Sequence, residues 1–262
     1  MDSIASTRVL ILGGTAEARA LASALTGHGV PVVSSLAGRV AEPRLPEGEV
    51  RIGGFGGPDG LARWLAGERV AAVVDATHPF AERIGASAAT AAARAGVPLL
   101  RLQRPGWRPG PGDDWHWADS LGAAARLLPA LGTRVFLTSG RQGLAAFAHL
   151  DRLWFLIRCV DPPEPPLPPQ SEVLLSRGPY RAADEAELLR RHRIDVLVTK
   201  DSGGTMTRGK LDAARQLGVP VVVVRRPVRP RVSEVTEVND ALTWALERVT
   251  GWPGEKSAPA AR

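Results

Sequence analysis

From residue 8 onward the chain alternates short aliphatic runs with longer stretches in which apolar residues recur every three or four positions. In the first half the runs at 8 to 12, 31 to 35, 50 to 53, 70 to 75 and 98 to 102, bounded by glycine or proline, predict strands. In the second half the same pattern predicts strands at 134 to 138, 153 to 159, 172 to 176, 195 to 199 and 220 to 224. Strands buried on both faces read as continuous apolar runs, and their alternation with helical segments is the mark of βαβ units around a parallel sheet. Five and five predict an α/β chain of two similar lobes, each a mostly parallel sheet of about five strands flanked by helices.

A weak internal echo supports the division: "AAARAGVPLLRLQRP" (91 to 105) resembles "DAARQLGVPVVVVRRP" (212 to 227). Helix, glycine stop and strand-opening proline also recur in α/β chains by local necessity, so the echo admits that reading too. Between the halves lies "RPGWRPGPGDDWHWADS" (104 to 120), whose prolines and glycines predict an irregular junction. Trp107, Trp115 and Trp117 there either pack the junction against a lobe or line a site for a flat conjugated ligand. A second proline-rich stretch, "DPPEPPLPPQ" (161 to 170), predicts a stiff surface connection. The expected domains are therefore 1–104, 105–250 and a disordered tail at 251–262.

The first strand runs into "GGTAEA". Gly13 and Gly14 end the strand, Thr15 can cap the helix that follows, and Glu17 falls in its first turn. Glycines let backbone N–H groups approach a pyrophosphate, and a helix N-terminus adds partial positive charge. Adjacent glycines depart from the usual G-x-G-x-x-G spacing, so a plain tight turn competes with a dinucleotide site. The second strand, "VVSSLAGRV", carries no acid to bind a ribose 2′-hydroxyl; Ser34 and Ser35 can hydrogen-bond and Arg39 follows a glycine turn. An arginine there suits a 2′-phosphate, which favours NADPH over NADH.

Composition narrows the partners. At 262 residues, 44% of them hydrophobic, the chain can bury about three-quarters of its unfolded surface, enough for two lobes. Its single cysteine forms no internal disulfide, and neither zinc spacing nor a run of ~20 apolar residues occurs. The expectation is a cytoplasmic protein with no metal and no membrane partner. A net charge of +6 suits an acidic small molecule better than nucleic acid, and "RRPVRPR" (225 to 231) reads as a solvated loop.

Taken in order, "ILGGTAEAR", "SLAGR", "DATHPFA", "TSGRQGL", "LSRGPY" and "TKDSGG" resemble the precorrin-6A reductase family of corrin biosynthesis, from about Val9 to Pro227. The resemblance implies two Rossmann-like lobes with an interlobe cleft, the cofactor on the first and a tetrapyrrole macrocycle in the cleft. It also implies reduction of one ring double bond of precorrin-6A to a precorrin-6B-type product in cobalamin biosynthesis. Gly13, Gly14, Thr15 and Glu17 are then expected at the pyrophosphate, Ser35 and Arg39 at the adenosine end, and Thr77, His78 and Pro79 near the nicotinamide.

Precorrins carry many acetate and propionate arms. Arg141, Arg177, Tyr180, Lys200, Ser202 and Gly203, all at predicted strand ends of the second lobe, are the expected substrate-binding residues. His78 and Asp201 are candidate proton relays, with solvent as the alternative, and Lys200 is a candidate for stabilising charge. Two further readings stay open. A reductase of a smaller carbonyl compound calls for a Tyr-x-x-x-Lys pair, whereas Tyr180 is followed four residues on by Asp184. A two-lobed protein that binds a nucleotide or acidic metabolite without chemistry is the other. The expected assembly is a monomer or weak homodimer.

Overall fold

The computed structural model describes residues 7–38 and 44–249. The chain divides into two compact units, one made of residues up to Arg104 together with those from Val228 on, the other Pro105–Pro227. The first unit opens with β1 (Arg8–Leu12), α1 (Ala16–Gly27), β2 (Val32–Leu36), β3 (Glu49–Ile52), α2 (Gly57–Gly67), β4 (Val70–Asp75), α3 (Glu82–Ala95) and β5 (Leu99–Leu102). The second unit follows with β6 (Trp115–Ala118), α4 (Leu121–Leu131), β7 (Arg134–Leu137), a 3-10 turn at Leu144–Phe147, β8 (Trp154–Cys159) and β9 (Ser171–Leu175). It continues through α5 (Ala182–Arg191), β10 (Val196–Lys200), α6 (Gly209–Leu217) and β11 (Val221–Val224). The chain then returns to the first unit for β12 (Ser233–Val235) and α7 (Val238–Leu246).

Each unit holds one six-stranded parallel sheet, ordered β12-β5-β4-β1-β2-β3 in the first and β6-β11-β10-β7-β8-β9 in the second. These are two doubly wound, Rossmann-like sheets. The winding reverses beside β1 and β4 in one and beside β7 and β10 in the other, and loops leaving such strands diverge to open a crevice at the sheet's carboxyl edge.

Residue alternation decides which helices cover which face. Val9 and Ile11 of β1 pack with Leu21 and Leu25 of α1 and Ala241 and Ala245 of α7. Leu10 and Leu12 point the other way, onto Leu61 and Leu65 of α2 and Ala88 and Ala91 of α3. In the second unit Phe136, Leu156, Leu197 and Val221 meet Ala186 and Leu189 of α5 and Leu211 and Ala214 of α6. Trp107 is buried in that same cluster with Trp115 and Trp117 against it, so these rings pack the unit.

The echo between the halves falls on equivalent elements. Gly96 ends α3 and Gly218 ends α6, both left-handed at φ 66°, and Pro98 and Pro220 immediately precede β5 and β11, which hold the same place in their sheets.

Three expectations need correction. The segment 104 to 120 is not wholly irregular, because Trp115–Ala118 forms β6, paired with β11. Residues 228 to 249 do not belong to the second lobe: β12 pairs with β5, and α7 lies in the α1 core. "RRPVRPR" is not simply solvated, since the Arg229 side chain is 5% exposed and ion-paired. Each sheet accordingly has six strands instead of five. The expected tail, 251–262, lies outside the described residues.

Candidate functional site

In the first unit β1 hands the chain to Gly13, whose N–H donates to the Ser35 carbonyl (2.9 Å). A methyl at Gly13 would stand 3.3 Å from the Leu36 side chain. Gly14 adopts φ 111° and has nothing within 4 Å of where a Cβ would stand, so its backbone opens onto free space. Thr15 caps α1 by accepting from the Ala18 N–H (3.1 Å), and its hydroxyl donates to the Ala76 carbonyl (2.8 Å) just beyond β4. One side chain thus stitches the two loops of the winding reversal. Glu17 sits in the first turn of α1 and pairs with Arg104 (2.8 Å), which offsets a charge that would repel a phosphate.

Beside this turn is a small cleft lined by Gly13, Gly14, Ala18, Arg19, Ser34, Leu36, Arg44 and Pro46. The Ser34 hydroxyl is buried and has no hydrogen-bond partner. Ser35, expected at this place, contributes its carbonyl to the Gly13 turn, and the cleft takes Ser34 instead. Arg39 lies outside the described residues. Arg19 and Arg44 were not candidates from the sequence; only the fold of α1 beside β2 brings them to one cleft.

At the exit of β4, Asp75 is 1% exposed and anchors a buried ionic cluster. Its Oδ1 accepts from the Thr77 hydroxyl (2.6 Å) and N–H (3.3 Å), and its Oδ2 accepts from Arg229 (2.5 Å). Arg101 approaches the same oxygen at 3.7 Å and reaches Glu234 at 3.6 Å. Burial lowers the Arg229 pKa from its ordinary value, with Asp75 opposing and Arg101 adding to the effect. Gly85 of α3 leaves the room that the Arg229 guanidinium occupies. The cluster fixes Thr77 and presents the turn that follows. There the His78 Nδ1 accepts from the Phe80 N–H (3.2 Å) and the His78 carbonyl from the Ala81 N–H (2.7 Å), with Pro79 between. An accepting Nδ1 assigns the neutral ring's proton to Nε2.

In the second unit the Thr138 hydroxyl, beyond β7, donates to the Val198 carbonyl of β10 (2.9 Å). The Tyr180 hydroxyl is committed to the Ser176 carbonyl (2.9 Å), and its ring lies 3.7 Å from the Arg158 guanidinium. Arg158 forms a buried two-point pair with Glu185 (2.6 and 2.8 Å). Tyr180 therefore shields a structural cation. Asp201 accepts the Trp107 N–H at Oδ1 (2.9 Å) and faces Arg226 at Oδ2 (3.3 Å). Oδ1 anchors the segment that enters the unit and Oδ2 the segment that leaves it. Gly203 is buried at φ 67°, where a methyl would overlap the Pro105 carbonyl; it serves close packing. Arg141, Lys200 and Ser202 are part-buried at the exits of β7 and β10, and Arg177 is exposed beyond β9.

Lys210, in the first turn of α6, is buried. It donates to the Thr207 carbonyl (2.8 Å) and stands 4.8 Å from the Trp107 ring, whose Nε1 donates to the Gly204 carbonyl (2.8 Å). Burial, and then neighbouring Arg158, lower its pKa to about 7, with Glu185 opposing. Nothing in the local sequence marks this lysine, apart from its place at the helix end that disfavours a cation.

The expected residues Gly13, Gly14, Thr15, Ser35, Thr77, His78 and Pro79 thus gather at the exits of β1, β2 and β4 of one sheet. Arg141, Arg177, Tyr180, Lys200, Asp201, Ser202 and Gly203 gather at those of β7, β9 and β10 of the other. Among the described residues no cluster of three or more His, Cys, Asp or Glu could hold a metal ion, and no helix is long and apolar enough to cross a membrane.

Residues 8–246 match the family model described as "Precorrin-6x reductase CbiJ/CobK". A precorrin-6A reductase of Rhodococcus erythropolis is 61% identical over 240 residues, covering 91% of this chain and 97% of that protein. A cobalt-precorrin-6A reductase of Salmonella typhimurium is 31% identical over 253 residues, covering 92% and 95%. Among solved structures, "CobK precorrin-6A reductase" superimposes with a TM-score of 0.87 at 41% identity, covering 92% of this chain and 97% of that one.

Proposed function

Because the chain belongs to the precorrin-6x reductase family, we propose that it reduces one ring double bond of precorrin-6A to a precorrin-6B-type product with NADPH, as a step of cobalamin biosynthesis. The observation that carries the cofactor half is the open backbone of Gly14 at the head of α1, beside a cleft with two arginines and an orphaned buried hydroxyl. A Cβ at Gly14 would stand where a pyrophosphate needs to approach backbone N–H groups, and the Thr15 cap fixes the helix end that supplies favourable charge. Ser34, Arg19 and Arg44 then meet the adenosine end, where the two guanidiniums suit a 2′-phosphate. Reduced nicotinamide, when bound, supplies the hydride.

This chain's residues bind, orient and move one proton. The Asp75–Thr77 pair holds the His78 turn, and His78 is the proton donor for the ring atom that gains a proton. In the second unit Arg141, Arg177, Lys200 and Ser202 take the carboxylate arms. Asp201 and Tyr180, with their polar atoms engaged by the fold, act as positioning residues, as does Gly203. A metal-free ring is favoured because 61% identity attaches to a precorrin-6A reductase and 31% to a cobalt-precorrin-6A reductase.

The test is anaerobic incubation of the protein with precorrin-6A or its cobalt complex and NADPH or NADH, following loss of the reduced-nicotinamide absorbance. Oxidation is expected fastest with NADPH and the metal-free ring. No oxidation above an enzyme-free control in any combination would defeat the assignment.

A further inference from the structure

Two buried hydroxyls among the described residues make no hydrogen bond: Ser34 in the first unit and Ser139 in the second. Such groups are few in native proteins, because an unmade bond at a buried donor is costly. Ser34 lines the cleft beside Gly13 and Gly14. Ser139 has the corresponding setting in the other sheet. It follows β7, which occupies the position that β1 holds in the first sheet, and is itself 6% exposed. Its neighbour Thr138 spends its hydroxyl on the Val198 carbonyl, as Thr15 does on that of Ala76, so the hydroxyls that serve the fold at these reversals are satisfied. The next residue, Gly140, adopts φ 78° with nothing within 4 Å of a would-be Cβ, the same openness as Gly14. Arg141 follows, close enough to influence the Cys159 thiol at the end of β8, and Lys200 closes the adjacent strand β10. A hydroxyl lacking a partner, an open backbone and two cations on one sheet edge select an anion.

We propose that Ser139 and the open backbone of Gly140 form a carboxylate subsite that receives one acidic arm of the macrocycle; the subsite rests on the functional reading above. Ser139 is a binding residue, with no part in hydride or proton transfer.

The test compares full-length wild type with Ser139→Ala. The first readout is binding of precorrin-6A followed by tryptophan fluorescence, and the second is steady-state reduction with NADPH. Losing a hydrogen bond to a charged group predicts about tenfold weaker precorrin-6A binding and a matching rise in its KM, with kcat and the KM for NADPH unchanged. The melting temperature should be equal or higher, since the substitution removes an unsatisfied hydroxyl from the free protein; a merely structural serine does not pair a firmer fold with weaker binding. Unchanged precorrin-6A affinity in a folded variant would overturn the subsite and mean that Ser139 pairs only with water. A rise confined to the KM for NADPH would overturn the carboxylate assignment in favour of a phosphate. Wild type that binds precorrin-6A without reducing it would defeat the functional reading alone, and the fluorescence comparison would still decide the subsite.

Discussion

Replacing Lys210 with methionine should make the protein more stable near neutral pH and change little in alkali. Lysine ordinarily titrates at 10.5, and burial among Trp107, Arg158 and the start of α6 lowers this to about 7. The unfolded chain therefore binds more protons than the folded one between pH 7 and 10.5. In that window stability rises with pH, and below pH 7 the full penalty of the buried cation is present. A shift of that size at ~1.4 kcal/mol per unit corresponds to a penalty of about 4 to 5 kcal/mol near pH 7, falling to about 1 kcal/mol at pH 10. Methionine fills similar volume without the charge but forfeits the bond to the Thr207 carbonyl, worth about 1 kcal/mol. The variant should thus gain about 3 kcal/mol over wild type at pH 7 and roughly nothing at pH 10. Urea denaturation at the two pH values, monitored by tryptophan fluorescence, measures both differences, and groups common to the two proteins cancel. A gain or loss that is the same at both pH values would show that this amine titrates as a solvated lysine does, and the reasoning would fail.

Asp75→Asn should destabilise the first unit by about 3 to 5 kcal/mol, because Arg101 and Arg229 would be left buried together without their carboxylate; thermal melting checks this. Gly85→Ala should act in the same direction by about 1 to 3 kcal/mol, since its methyl overlaps the Arg229 guanidinium, and it should add little to Asp75→Asn in the double variant. Arg19→Ala and Arg44→Ala should each weaken NADPH binding by about tenfold while leaving NADH binding nearly unchanged, as read by the fluorescence of the reduced nicotinamide. His78→Ala should slow single-turnover reduction by about a hundredfold without altering substrate affinity, whereas a rate within threefold of wild type would assign the proton to solvent.

Local physics made the repeating architecture readable in advance. The ten strands expected from aliphatic runs all occur, with no end displaced by more than one residue, and the repeated Gly-Val-Pro does mark equivalent helix ends and strand starts. β6 was hidden because Trp115, His116 and Trp117 sit among glycines and prolines, and β12 because three residues carry too little periodicity. The Gly13–Thr15 turn could be placed from strand, glycine and cap alone. The arginines could not: whether Arg229 is solvated or buried against Asp75, and whether Arg19 and Arg44 share a cleft, depends on partners far along the chain. The same holds for Lys210, whose burial is set by Trp107 and Arg158 on other elements.

The excursion of the chain between β5 and β12 sets an order of assembly during translation. The middle segment, Pro105–Pro227, contains every strand of its own sheet and can close as soon as it leaves the ribosome. The opening segment must wait with the rim of β5 uncovered until the last strand and helix are made, because both come from the far end of the polypeptide. Messages cut short after codon 227 would therefore yield one finished half and one with a bare, adhesive border, a species that quality-control proteases would meet before any product with two sound halves.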